Sequence, residues 1–484
     1  MLDWLADSAA PPYLRSLISL IYRTALMVQI VSVPVYASDV AAPELVSVAD
    51  VAMDVRTGGS QAIYTYRAEG VSQGDALIVP LGNRSVLGYV LETRTVSADE
   101  LGFDLAQLKS AIDRVEGLSL PRRLLEVVKH IASEYLCPVP VALGAAAPPG
   151  ASNRLETVWT LAREPGPGDP LTPLQQEVCQ VLRQAGGPFR PAKRKGSALG
   201  VDKALNHLQA KGIARREVRL SAPAARRAAP LLRLSSDSMR IERFLLDEGR
   251  RKPAQALTLM RLQEAEGAQL TSAEIRALAG VTEGIVKALV DAGLIESVEG
   301  SVGTVRAPHE PNSHQQLAIG AISDAVTSRH YRPFLLFDIT GSGKTEVYLR
   351  AASQAMTLGR QVLYLVPEIA LASQAIALLR ERFGRGVTII HSDLSQKERL
   401  DHWMRIRSGS APLVIGARSA LFAPLDDIGL IIVDEEHEGG FKQESAPRYH
   451  ARAVARFLAQ IHSCPVLLGS ATPSIQTFHD AVSG

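Results

Sequence analysis

Residues 334–345 constrain this chain more than any other stretch. Phe334-Leu335-Leu336-Phe337 is an apolar run of strand character, Gly341-Ser342-Gly343-Lys344-Thr345 is a glycine loop, and a helical pattern runs from Glu346 to about Met356. Strand, glycine loop and helix in that order make a phosphate-binding loop, because glycines let backbone N–H groups turn inward around phosphate oxygens. The helix start adds unpaired donors and the positive end of its dipole. Lys344 is placed to meet the β- and γ-phosphates and Thr345 to reach Mg²⁺. The full pattern opens with a glycine, and Asp338 stands there instead. A carboxylate beside a triphosphate is repulsive unless it faces away or a cation screens it.

Four blocks follow: Leu363–Glu368, Leu413–Ser419, Leu430–His437 and Val466–Pro473, each an apolar run ending in polar residues. Buried parallel strands read this way, and ligands bind at their carboxyl ends. In the third block Asp434 is placed to hold Mg²⁺ and Glu435 to orient an attacking water. Together with Lys344 and Thr345 these acids would form most of an ATPase site, since phosphoryl transfer needs mainly positioning and charge neutralisation.

The sequences Thr-Gly-Ser-Gly-Lys-Thr, Val-Pro-Glu-Ile-Ala-Leu, His391-Ser392, Gly-Ala-Arg-Ser-Ala-Leu-Phe, Asp-Glu-Glu-His and Gly-Ser-Ala-Thr-Pro-Ser resemble superfamily 2 helicases. Adding Arg448-Tyr449-His450-Ala451-Arg452 narrows the resemblance to the PriA family of bacterial replication restart helicases. It covers about residues 312–481, and more weakly about 48–150. The resemblance implies ATP and Mg²⁺ as cofactors, with Gly341, Ser342, Gly343, Lys344 and Thr345 around the nucleotide and Gln315 against the adenine. It implies DNA contact or coupling at Arg418, Ser419, Phe441, Lys442, Arg448, Tyr449, Arg452, Ser470 and Thr472, with aromatic faces able to stack on bases. Ala446-Pro447 stands where the family has a tryptophan. Implied partners are forked or branched DNA with a 3′ end, single-stranded-DNA-binding protein and primosome components.

The chain has 484 residues, too long for one core, and a net charge of +2, so any nucleic-acid surface must be local. Cys137, Cys179 and Cys464 form no Cys-x-x-Cys pair, which argues against a cysteine zinc site and fits a reducing cytoplasm. No apolar run is long enough for a membrane span. Residues 1–47 read as an apolar N-terminal extension. A secretory signal over 24–37 is the alternative, opposed by Asp3 and Asp7.

The expected architecture is multidomain α/β: a RecA-like parallel-sheet P-loop NTPase lobe over 306–484, preceded by winged-helix modules and a small β-rich domain. Residues 48–142 alternate like strands, with hairpin strands at Ala76–Pro80 and Val86–Leu91, and 105–136 read as helix. The resemblance implies a 3′-end-binding domain there. Tyr64-Thr65-Tyr66 keeps the aromatics of the family's Phe-Asp-Tyr and loses its acid. Residues 143–170, rich in Ala, Pro and Gly, read as a linker. Two winged-helix-like units follow, over 171–233 and 234–305, the second with a helix start at Thr271-Ser272-Ala273-Glu274. From Arg183 to Arg233 there are 13 Lys and Arg against two acids, a pattern suited either to phosphate contacts or to a solvated basic linker.

The chain reaches Gly484 just past Gly-Ser-Ala-Thr. In the family a second lobe supplies an arginine finger, worth roughly 10³–10⁵ in rate, and zinc-binding cysteines accompany it. Neither is expected from this sequence, so the chain alone is expected to bind forked DNA, to hydrolyse ATP slowly and not to unwind. The alternatives are a fork-binding platform without turnover and another superfamily 2 translocase. The Arg448–Arg452 segment and the β-rich domain oppose the latter.

Overall fold

The computed structural model describes residues 45–53, 63–82, 84–97, 105–191, 198–220, 230–264, 269–298, 310–339, 341–367, 374–391 and 394–483. The extension at 1–47 lies outside them up to residue 44.

Five short strands open the chain: β1 (Leu45–Met53), β2 (Ile63–Arg67), β3 (Ala76–Leu81), β4 (Arg84–Ser97) and β5 (Asp113–Arg114), in the order β2-β1-β4-β3-β5. The β3–β4 hairpin pairs Ala76 with Tyr89 and Leu81 with Arg84. Helix α1 (Arg122–Glu134) covers only the end of the expected 105–136 helix. Residues 113–114 join the sheet edge beside β3, Gly117 turns at φ 78°, and Pro121 caps α1 from outside. Those contacts outbid local helical periodicity. Helix α2 (Val139–Ala146) follows.

The stretch 143–170, expected as a linker, requires correction. It contains β6 (Leu155–Leu161), which pairs antiparallel with β7 (Ala214–Leu220) across α3 (Pro173–Ala185) and α4 (Ala198–Ala210). Trp159 is buried in one cluster with Val178, Leu182, Leu205 and Leu208. A strand whose partner lies beyond two helices gives no local signal of pairing. The boundary at 233/234 also cuts a strand. β8 (Leu231–Leu234) pairs with β9 (Ile295–Val298) around α5 (Ser238–Asp247), α6 (Pro253–Glu264), α7 (Ser272–Ala279) and α8 (Glu283–Asp291). Arg233 therefore belongs to the second unit. Of the basic stretch, Arg183 meets Glu164, Arg190 meets Glu156 at 2.7 Å and Arg215 meets Glu217 at 3.7 Å. Lys193, Arg194, Lys195, Arg226 and Arg227 lie outside the described residues.

Thr271 and Glu274 form the capping box that the sequence announces. Glu274 does more than cap: its carboxylate is also paired, in the interior, with Arg380. Arg276 reaches Glu398 at 3.2 Å. The second unit is thus anchored on the large lobe.

That lobe begins at α9 (Ser313–Thr327) and alternates β10 (Pro333–Phe337), α10 (Lys344–Thr357), β11 (Gln361–Leu365), α11 (Gln374–Phe383), β12 (Val387–Ile390), α12 (Gln396–Arg407), β13 (Leu413–Gly416), β14 (Ile428–Val433), α13 (Ala451–Ile461), β15 (Val466–Ser470) and α14 (Ile475–Ser483). Six parallel strands lie in the order β10-β15-β14-β11-β13-β12. All six residues of β14 are buried, as a central strand covered on both faces requires. The N-terminal domain shares this core: Leu125 and Val128 of α1 cluster with Val454 and Leu458 of α13, and His130 stacks on Phe457 at 3.7 Å. Among the described residues no helix is long and apolar enough to cross a membrane.

One contact at this junction is pH-sensitive. His462 Nδ1 accepts the Ile428 N–H at 3.1 Å and lies 3.2 Å from Arg123 Nη1. Burial, with the Arg123 charge, holds its pKa down to about 3. The unfolded chain takes up this proton near pH 6.5 and the folded one does not, so stability falls as pH drops below 6.5 and levels off only near 3. At pH 5 the loss is about 2 kcal/mol. Urea unfolding should show that component disappear in His462→Asn.

Candidate nucleotide and nucleic-acid site

Both glycines of the loop after β10 need positive φ: Gly341 at 82° and Gly343 at 85°. Gln315, in the first turn of α9, donates to Ser342 O at 2.9 Å, and a Cβ on Gly343 would come within 2.5 Å of its amide nitrogen. Lys344 Nζ lies on the carbonyls of Asp338 at 2.8 Å and Ile339 at 3.1 Å. Asp338 is exposed and its Oδ1 accepts the Ile339 N–H at 2.8 Å. Thr345 is the second residue of α10.

Two features fit a phosphate here. The Ser342 hydroxyl is buried without a hydrogen-bond partner, and no side chain caps the start of α10. Oxygens of a bound phosphate would satisfy both.

Asp434 follows β14 and is gripped from two sides. Tyr348 of α10 donates to Oδ1 at 3.1 Å and Tyr364 of β11 to Oδ2 at 3.0 Å. Burial pushes the Asp434 pKa up, while both hydroxyls, the Glu435 N–H and the nearby Lys344 charge counteract it. Lys344 is therefore close enough to act on this carboxylate. Glu435 adopts φ 47°, and its carboxylate lies 3.6 Å from His437 Nδ1. That nitrogen is 2.8 Å from Ser470 Oγ, and Nε2 is 3.3 Å from Thr472 Oγ1. The turns after β10, β14 and β15 thus converge at one edge of the sheet. The acidic and phosphate-binding turns are suited to holding a metal–nucleotide complex.

The residues expected to face DNA divide. Arg418 Nη1 donates to Gly440 O at 2.8 Å and Lys442 O at 3.3 Å; Ser419 is exposed. Lys442 and Arg448 are exposed, Lys442 Nζ donating to Arg448 O at 2.9 Å and lying 5.5 Å from the Tyr135 ring. The expectation of aromatic stacking needs correction. Phe441 is 1% and Tyr449 3% exposed, and Tyr449 packs edge-on to Phe422 in the core. Arg452 also turns inward, onto the buried Glu436 and onto Ser474 Oγ at 2.7 Å.

Residues 312–481 match the DEAD/DEAH box helicase family, and residues 50–148 match the 3′DNA-binding domain (3′BD) of PriA. Three similar curated proteins are each named Replication restart protein PriA. The Bacillus subtilis protein is 29% identical over 90% of this chain and 54% of its own length, and that of Synechocystis 32% over 87% and 51%. The Chlamydia pneumoniae protein is 46% identical over 37% of this chain and 24% of its own. Over most of its length the chain is similar to PriA. It spans about half the length of the curated relatives that match most of it.

Tyr348, Tyr364, Glu436 and His437 complete the geometry of this site, and the sequence did not mark them as site residues. Tyr348 stands four residues after Lys344, one helical turn on, which places it on the side of α10 facing the sheet. Tyr364 lies inside an apolar strand, where an aromatic residue reads simply as core.

Gly469 makes room for Tyr348: a Cβ there would lie 1.6 Å from the tyrosine hydroxyl. Gly469→Ala should displace that ring from Asp434 and cost about 1–3 kcal/mol by overpacking. Chemical unfolding would measure the loss, and adding Tyr348→Phe should recover part of it.

Proposed function

We propose that this chain binds forked or branched DNA bearing a 3′ end and hydrolyses ATP with Mg²⁺, as the DNA-binding and ATP-binding part of the machinery for 3′-to-5′ unwinding and primosome assembly in the cytoplasm. Supporting this is one juxtaposition: the helix that starts in the phosphate loop reaches Asp434 through Tyr348 at 3.1 Å, in the same compact unit as the matched 3′DNA-binding domain. Gly341, Ser342, Gly343 and Lys344 bind the phosphates, and Gln315 tethers the loop close to where a base would lie. Thr345 and Asp434 hold Mg²⁺, and Glu435 orients the attacking water. Mg²⁺ bound with the nucleotide would supply charge neutralisation. The tyrosine pair keeps Asp434 in one rotamer. The chain Glu435–His437–Ser470–Thr472 links the acid to the turn after β15. Arg418, Ser419, Lys442 and Arg448 contact the strand's backbone. Phe441, Tyr449 and Arg452 act from inside, by shaping the loop that carries Lys442 and Arg448. The resemblance adds single-stranded-DNA-binding protein and primosome components as partners.

A second reading, a fork-binding platform without turnover, draws on Asp338 at the loop's first position. ATP hydrolysis measured with and without forked DNA decides between them. A DNA-stimulated rate supports the motor, whereas fork binding with no hydrolysis supports the platform.

A further inference from the structure

A cavity of about 250 Å³ lies between the N-terminal domain and the motor lobe. Ala146, Ala147 and Pro149, from the end of α2 and the turn after it, form one wall. Trp403 and Ile406 of α12 and Phe422 after β13 form the others. Its polar lining is basic: Arg399, Arg418, His391 and His402, with Ser419 and Gln443. No carboxylate lines it among the described residues. Trp403 is 5% exposed, and its buried indole N–H has no acceptor among the described residues. His402 Nδ1 faces only a carbonyl, Ile389 O at 3.0 Å, so that nitrogen carries the proton, and burial favours the neutral ring.

We propose that this cavity receives one unstacked nucleobase of a bound DNA strand. The inference rests on the DNA-binding reading above and adds to it a site that the phosphate-contacting residues do not require. The walls are apolar and include the rings of Trp403 and Phe422, which suits a base face. The volume lies below the range that takes drug-sized ligands and suits a single heterocycle. Arg418 and Ser419 belong both to this lining and to the turn after β13, so a strand whose phosphates lie on that turn has its base within reach of the cavity. Because α2 supplies a wall, the pocket exists only when the N-terminal domain is docked, and a held base would tie that domain's position to the motor's grip on the strand.

The test uses the full chain and single-stranded or forked oligonucleotides carrying one 2-aminopurine, moved base by base. Fluorescence of 2-aminopurine rises when it leaves the stack. One position should brighten severalfold on binding while its neighbours do not. Ala147→Phe, which fills the cavity from its rim, should abolish that brightening and weaken binding about tenfold, the scale of one lost base contact. Trp403→Phe keeps an aromatic ring in the core but withdraws part of the cavity's aromatic wall. It should diminish the brightening even if Ala147→Phe fails to fold. Tight binding with no brightened position would overturn the proposal and leave the DNA-binding reading standing. So would a brightened position that neither variant alters. A cavity built for an aromatic side chain of a partner protein would give the first of these results. Absence of any DNA binding by the unaltered chain would overturn both.

Discussion

Lys344→Ala is expected to lower ATP hydrolysis at least 10²–10³-fold, the usual cost of removing one positioned charge or donor from a transition state. Its ammonium now lies on the carbonyls of Asp338 and Ile339 at 2.8 and 3.1 Å. Those contacts hold it at the loop that would surround the phosphates, and within electrostatic reach of Asp434. The substitution removes an exposed contact, so the fold should survive it. A DNA-stimulated phosphate-release assay on the unaltered chain and on Lys344→Ala measures the difference. Equal rates in the two would show that the observed hydrolysis is not performed at this loop.

Arg452→Met is expected to destabilise the protein by about 3–5 kcal/mol near neutral pH, because it strands a buried carboxylate. Glu436 is 1% exposed. It accepts from Ser474 N at 2.7 Å and Thr477 Oγ1 at 3.0 Å, with Arg452 as its countercharge. Burial alone would raise its pKa. The Ser474 N–H, the Arg452 guanidinium and the Thr477 hydroxyl together hold it below the ordinary glutamate value. A carboxyl so depressed contributes stability above its unfolded pKa and loses that contribution as pH falls through the folded one. Without Arg452 the carboxyl protonates more readily, so the deficit of the variant should shrink toward pH 4. Urea unfolding at several pH values would show this. Arg452→Met combined with Glu436→Gln should recover part of the loss, since the stranded charge is then gone. A deficit independent of pH would assign the effect to lost packing instead.

The network around Glu436 also shows where sequence reasoning reached its limit. Arg452 lies in a basic, aromatic segment, and such a segment looks like a surface for DNA. Its direction is set by a carboxylate 16 residues earlier and by Ser474 after β15. Phe441 and Tyr449 follow the same rule: local composition offers two faces, and the core of α1, α13 and the turn after β13 claims both rings. Asp338 shows the opposite case. The sequence raised a repulsive carboxylate at the loop, and the geometry holds one of its oxygens on the adjacent N–H of Ile339.

What the sequence by itself determined was local. The strand, glycine loop and helix at 334–357, the apolar runs that became β11, β13, β14 and β15, and the capping box at Thr271 are written in neighbouring residues. Interactions within a few residues suffice for them. The tertiary structure decided which distant segments meet. It paired β6 with β7 across two helices, set Tyr348 and Tyr364 on the two oxygens of Asp434, docked the second winged unit through Glu274 and Arg380, and closed a cavity between α2 and α12. Each of these depends on burial and charge pairing between residues far apart in the chain, for which no local pattern exists until the core has formed.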